Sequence, residues 1–222
     1  MAVSTRAHFD KQLSQLREDV LMLGSRARRA VAESLTALTS SDADLAREVV
    51  AADVGINRQR YDIEFRCYSL LATEQPVASD MRSIASGLIL ANELERVADH
   101  GKKIAATYLR MLEDPVSMDL GEIPDLGSFC LTMIDRALRA FATRNVSEAE
   151  AVCRSDDQAD AKYKHAFDAI VKGMVDDPRR ISAGTHLLQI AHELERVGDR
   201  ATNIAERVIY SVTGELIELN VG

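Results

Sequence analysis

The block ELERVADHGKKIA, Glu93 to Ala105, returns without a gap as ELERVGDRATNIA, Glu193 to Ala205, 100 residues further along the chain. A match of that length is hard to obtain by chance and argues for internal duplication. A weaker echo lies upstream of each copy, where Asp53-Val-Gly-Ile-Asn57 matches Asp156-Asp-Gln-Ala-Asp160 in polar spacing. Whatever this chain folds into has to be built twice, with the same segment in the same place in each half.

The apolar residues of each half recur at helical spacing. Leu13, Leu16, Val20, Leu23, Ala27 and Val31 fall on one stripe of a first helix, from about Thr5 to Leu38. Ser41-Asp42-Ala43-Asp44 supplies an N-cap and first-turn carboxylates for a second, from about Ala43 to Thr73. Pro76 has the fixed φ of a first helical turn and opens a third, running to about Met111. That third helix is apolar along two lines, through Ile84, Leu88 and Ala91 and through Leu90, Leu94 and Val97, so it is wedged between neighbours. Residues 114–127 hold two prolines and two glycines and read as a linker. The plan then repeats: a fourth helix from Pro124 to Thr143, a fifth opened by a Ser147/Glu150 capping box, and a sixth opened by Asp177-Pro178 as Gln75-Pro76 opened the third. Long helices joined by short caps pack as up-down bundles. The expected fold is all-α: two tandem three-helix bundles related by internal duplication, residues 1–115 and 116–222.

Composition agrees. Hydrophobic residues make up 46% of the 222 and charged residues 28%, which suits a globular chain. The net charge of −8 disfavours nucleic acid and anionic lipid as direct partners. The three cysteines Cys67, Cys130 and Cys153 are odd in number and form no CxxC pair, as expected of reduced thiols in a cytoplasmic protein. The N-terminus carries charges where a signal peptide needs an apolar core, and no stretch reaches the roughly 20 apolar residues of a membrane span.

The duplicated segments gather carboxylates. Asp53 and Asn57, Glu95 and Asp99, Asp156 and Asp160, and Glu195 and Asp199 each stand four residues apart, on one helix face and about 5–6 Å apart at Cβ. Two like charges there cost a helix roughly 0.2–0.5 kcal/mol, so their repetition invites an explanation. A hard cation bridging acids from neighbouring helices is one. The other is pairing within the protein, with Arg96, Arg196, Arg200 and Lys103 as the cations, Asp99–Lys103 being in the favourable acid-to-base order. No Glu-x-x-His, HExxH, GxxxxGKS, GxGxxG or GxSxG occurs, and no nucleophile has an obvious base. Nothing in the sequence speaks for an enzyme, and His8, His100, His165, His186 and His192 read as surface or structural residues.

The duplicated ELERVxD on the third helix of each half, preceded by the Pro76-Val-Ala-Ser-Asp80-Met-Arg82 segment, resembles the PhoU family of phosphate-signalling accessory proteins. The resemblance implies six helices in two bundles and a homodimeric negative regulator of the phosphate-starvation response. It would act at the inner membrane between the phosphate ABC transporter's ATPase subunit and a sensor histidine kinase. It also implies multinuclear iron or zinc on the E(D)xxxD motifs. Carried onto this chain, the metal candidates are Asp53, Asn57, Glu95 and Asp99 in the first half and Asp156, Asp160, Glu195, Asp199 and Asn203 in the second. Lys103 stands where the second half has Asn203, and Asn57 replaces an acid, so the second group is expected to bind metal more tightly. Two other readings stand beside this one: a helical metal-binding adaptor of another system, and a ferritin-like metalloenzyme, against which the missing Glu-x-x-His already counts.

Overall fold

The structure, a computed structural model, describes residues 2–114 and 116–216, with side chains from Arg6 onward. Among these residues there are seven α-helices and no strands. They are α1 Ala2–Ser40, α2 Ala43–Glu74, α3 Ala78–Met111, α4 Ile123–Thr143, α5 Val146–Cys153, α6 Asp156–Asp176 and α7 Ile181–Thr213. Two units of the same plan result, with α4, α5–α6 and α7 standing where α1, α2 and α3 stand in the first. No helix of the described residues is long and apolar enough to cross a membrane.

Local chemistry sets most helix ends. Asp42 sits extended before α2 and its carboxylate accepts the N–H groups of Asp44 and Leu45 at 3.1 and 2.9 Å, satisfying two of the orphan donors. Three boundaries differ from expectation. Pro76 does not open α3. Gln75 turns left-handed and the β-branched Val77 takes an extended N-cap, so helix begins only at Ala78. The Ser147/Glu150 capping box does not form, because Asn145 is the cap, its side chain accepting from Glu148 N–H at 3.1 Å, which places Ser147 inside the first turn. The expected fifth helix is two helices, broken at Arg154-Ser155. Ser155 turns its hydroxyl back to the Ala151 carbonyl at 2.9 Å, a bond that competes with regular helix. The break puts Asp156 in the first turn of α6, where the helix dipole favours an anion. The sixth expected helix opens with a single 3₁₀ turn, Pro178–Arg180, capped by Asp177, before α7 proper.

α3 packs against α1, α2 and α7, and α7 against α4, α5, α6 and α3. This is why both are apolar around much of their circumference: Leu94, Val97 and Ile104 on one, Leu194, Val197 and Ile204 on the other, are all buried. One continuous hydrophobic cluster runs through both units. Among the described glycines, Gly101 is the one that meets backbone, where a Cβ would lie 2.8 Å from the backbone nitrogen of Val31 and 2.9 Å from the carbonyl carbon of Ala30. Gly198, on the other long helix, has only ordinary contacts at 3.5 Å or more. Gly101→Ala should therefore lose about 1–3 kcal/mol in urea unfolding through overpacking against α1. Gly198→Ala should be neutral or gain up to about 1 kcal/mol of helix propensity. Equal effects at the two sites would contradict this packing.

Candidate functional site

The first acid of each ELER copy, Glu93 and Glu193, reaches across to the other half. Arg200 and Asn203 donate to Glu93 Oε2 at 3.1 and 3.2 Å. Glu193 Oε2 lies 2.6 Å from His100 Nδ1 and 3.9 Å from Lys103 Nζ. Residues 93, 100 and 103 shifted by 100 become 193, 200 and 203, so each set of contacts is the image of the other. Only two antiparallel helices related by an approximate twofold axis can do this. Burial would raise the Glu193 carboxyl, but the His100 hydrogen bond and the charges of His100, Lys103 and His192 outweigh it and hold it below the ordinary range.

The crossing reassigns several residues. Asn203, expected to continue the second metal motif, donates its amide N–H to Glu93, and Arg200, expected as a cation for the motif acids, donates a guanidinium N–H to Glu93 while its charge also pulls the Asp199 carboxyl down. His100 is a buried structural residue, as expected, with Glu193 as its partner. Glu93 and Glu193 went unnoticed in the sequence because their partners lie seven and ten residues further along the opposite copy, a register visible only once α3 and α7 are antiparallel.

The two carboxylate groups flank this crossing, and they differ. In the first half Asp53 is buried and receives the Lys102 ammonium at 2.9 Å and the Asn57 amide at 2.9 Å. Lys103 pairs with Asp99 at 3.1 Å, as the acid-to-base spacing indicated, and Lys102 lies 3.7 Å from the same carboxylate. The bond to Asp53 raises the Lys102 pKa and keeps it charged. Burial, with Asp99 and Asp53 behind it, pushes the Glu95 carboxyl up, while Arg60 pulls it down. Two ammonium groups thus already neutralise Asp53 and Asp99, which leaves this half little charge to offer a cation.

In the second half the position of Lys102 is Thr202, whose hydroxyl donates to Asp156 at 2.9 Å. No ammonium enters. Burial first, and then neighbouring acids, push three carboxyls up: Asp160 through Asp156, Asp199 and Asp157; Glu195 through Asp199 and Asp160; Asp199 through Asp156. Arg196 stands 3.7 Å from Asp199. Glu195 Oε2 is buried without a hydrogen bond, although His192 Nδ1 lies 3.2 Å away. An orphaned carboxylate oxygen among mutually repelling acids fits a cation in charge. The side chains are not drawn together into a ligand set: among the described residues no three His, Cys, Asp or Glu are arranged to hold a metal ion.

Lys102 and Thr202, the pair that most separates the halves, were not singled out in the sequence, although the gapless 100-residue alignment sets them opposite each other. The three thiols are buried, and burial pushes each up to about 12, so they are protonated. Ser182, His186 and Asp114 meet, but the aspartate holds both partners, through its Oδ1 and Oδ2 at 2.5 and 2.8 Å, so His186 does not face the serine hydroxyl as a base.

The PhoU domain profile matches residues 20–107 and again 123–208. The chain is 33% identical over 217 residues to the phosphate-specific transport system accessory protein PhoU homolog of Clostridium acetobutylicum, covering 97% of this chain and 99% of the relative. It resembles the crystal structure of PhoU from Pseudomonas aeruginosa with a TM-score of 0.89 at 35% identity, covering 93% of this chain and 100% of that one. The phosphate transport system regulatory protein PhoU from Streptococcus pneumoniae superposes with a TM-score of 0.87 at 33% identity, covering 95% of this chain and 99% of that one.

The charge asymmetry is measurable without any ligand. Asp160 is raised by burial and by acids alone, so its charge costs stability at neutral pH, and that cost disappears as pH falls through its raised pKa. Asp160→Asn should stabilise the metal-free protein at pH 7 by roughly 0.2–0.5 kcal/mol, with the gain vanishing towards acid pH. Lys102→Met strands Asp53 and should cost about 1–2 kcal/mol. Urea titrations between pH 4 and 8 check both; a destabilising Asp160→Asn would contradict the repulsion.

Proposed function

This chain belongs to the PhoU family, and on that premise we propose that it modulates phosphate uptake and represses the phosphate-starvation response by binding the ATPase subunit of the phosphate ABC transporter and a sensor histidine kinase. The observation that carries the reading is the full-length likeness to accessory proteins of the phosphate-specific transport system. It works as a homodimer in the cytoplasm and reaches the inner membrane through its partners, with no catalysis of its own. Transporter state would then be read as a shift in which partner is occupied.

The surface of the first half supports binding. Val54, Tyr61, Phe65 and Tyr68 follow one another on α2 at steps of seven, four and three, which puts them on one face, and all four are exposed. Arg60 stacks 3.9 Å from the Tyr61 ring centroid. The matching stretch of α6 has Lys164 and Asp168 where Tyr61 and Phe65 stand, so this apolar face belongs to one half only. Aromatic side chains held on a helix face make good interface anchors.

Divalent metal, iron or zinc by family resemblance, belongs to the second half on this reading, with Asp156, Asp160, Glu195 and Asp199 as the residues that would hold it. The ion would offset their repulsion and tie α6 to α7, and the first half, neutralised by Lys102 and Lys103, would stay metal-free.

Deleting the gene should switch on phosphate-starvation genes in phosphate-replete cells. Tagged wild-type chain should copurify with the ATPase or the kinase, and Phe65→Asp should lose that capture with an unchanged Tm. Elemental analysis of protein prepared without chelators should find metal that Glu195→Ala/Asp199→Ala removes and Glu95→Ala does not. Unchanged starvation-gene expression in the deletion strain would overturn the regulatory reading. Metal lost equally from both variants would overturn the assignment to the second half.

A further inference from the structure

A cleft of about 300 Å³ opens where α1, the first turns of α3, the end of α4 and the end of α7 meet. It lies away from the carboxylate groups. From Gly87 at its edge to Glu95 is eight residues, about 12 Å along the helix axis. Leu13, Leu16, Val20 and Phe141 give it an apolar floor.

Its polar groups are arranged to donate. Arg144 lines it and makes no side-chain bond to the rest of the described chain; it caps α4 at φ 54°, a left-handed position where glycine is usual. Arg17 gives one N–H to the Phe141 carbonyl at 3.4 Å and keeps the others of its five free. The one carboxylate in the lining, Asp80, is already held by Arg6 at 2.7 Å. Ser86 is the telling residue. Ser83 and Ser211, also in the lining, hand their hydroxyl protons to the carbonyls of Ser79 and Val208. The Ser86 hydroxyl is fully buried and has no partner, an arrangement that calls for a ligand or costs stability for nothing. Two guanidinium groups and an unused hydroxyl on a chain of net charge −8 mark a local site for an anion.

We propose that this cleft binds a small phosphomonoester, with Arg17, Arg144 and Ser86 donating to the phosphoryl oxygens and the organic body lying on the apolar floor. A carboxylate is satisfied by a single guanidinium fork, whereas a phosphoryl group offers three oxygens for the donors gathered here. The cleft has room for about ten water-sized volumes, more than a bare tetrahedral oxyanion fills. The inference is independent of which proteins the chain regulates.

Isothermal titration of the full chain with phenyl phosphate, glycerol 3-phosphate, inorganic phosphate and sulfate tests it. One phosphomonoester per chain should bind, tighter than either inorganic phosphate or sulfate. Arg144→Gln should weaken binding about tenfold or more. Ser86→Ala should weaken it too, while its Tm equals or exceeds that of wild type, because the substitution removes an unsatisfied buried hydroxyl. A purely structural Ser86 would leave binding untouched. No saturable binding of either phosphomonoester, binding unchanged in both variants, or inorganic phosphate or sulfate binding as tightly would each overturn the proposal.

Discussion

The reciprocal clasp between Glu93 and Arg200/Asn203 on one side of a crossing, and between Glu193 and His100/Lys103 on the other, is what the rest of the molecule depends on. A duplicated chain has two units with the same apolar faces, and nothing in that patterning alone says how they meet. The clasp says it. Because each half supplies both an acid and the donors for the other half's acid at the same register, the two copies bind each other antiparallel about an approximate twofold axis. The side chains of Glu93 and Arg200 are only 15% and 10% exposed, so the pairing is little screened, and removing one partner leaves the other buried. With the crossing fixed, the two flanking carboxylate groups are fixed as well, since both are built on the same turns of α3 and α7.

Given that symmetry, the departures from it carry the functional information. Lys102 in one half and Thr202 in the other decide whether a buried aspartate faces an ammonium or a hydroxyl. The break at Arg154-Ser155 places Asp156 at a helix N-terminus, whereas Asp53 lies inside a continuous helix. One half has neutralised its acids internally and shows an aromatic face to solvent; the other keeps mutually repelling acids. A duplicated fold can in this way divide labour, one unit for contact and the other for charge.

Much of this was legible in the letters. The 100-residue repeat gave the two-unit all-helical plan, and the apolar circumference of the third helix marked it as central. Asp42 and the Asp99–Lys103 pair followed from spacing along a single helix. The misses share a cause. Capping by Asn145 in place of Ser147, and helix beginning at Ala78 after Pro76, depend on backbone conformations that several nearby residues could have supplied. Spacing along its own helix places Asn203 one turn beyond the acidic motif but does not show that its amide N–H reaches Glu93 on the opposite copy. Glu93 and Glu193 stood inside the most conspicuous motif of the chain, yet their role needs the register between α3 and α7, which no periodicity within one helix contains.

A double-mutant cycle across the crossing tests the central claim directly. Unfolding free energies of wild type, Glu93→Gln, Arg200→Gln and the double variant, from urea denaturation at pH 7, give the coupling between the two side chains. If the clasp joins the halves, the coupling should be about 1–3 kcal/mol, with each single variant more damaging than its share of the double. Additive effects, with no coupling between Glu93 and Arg200, would contradict the account and leave apolar packing alone to hold the two units together.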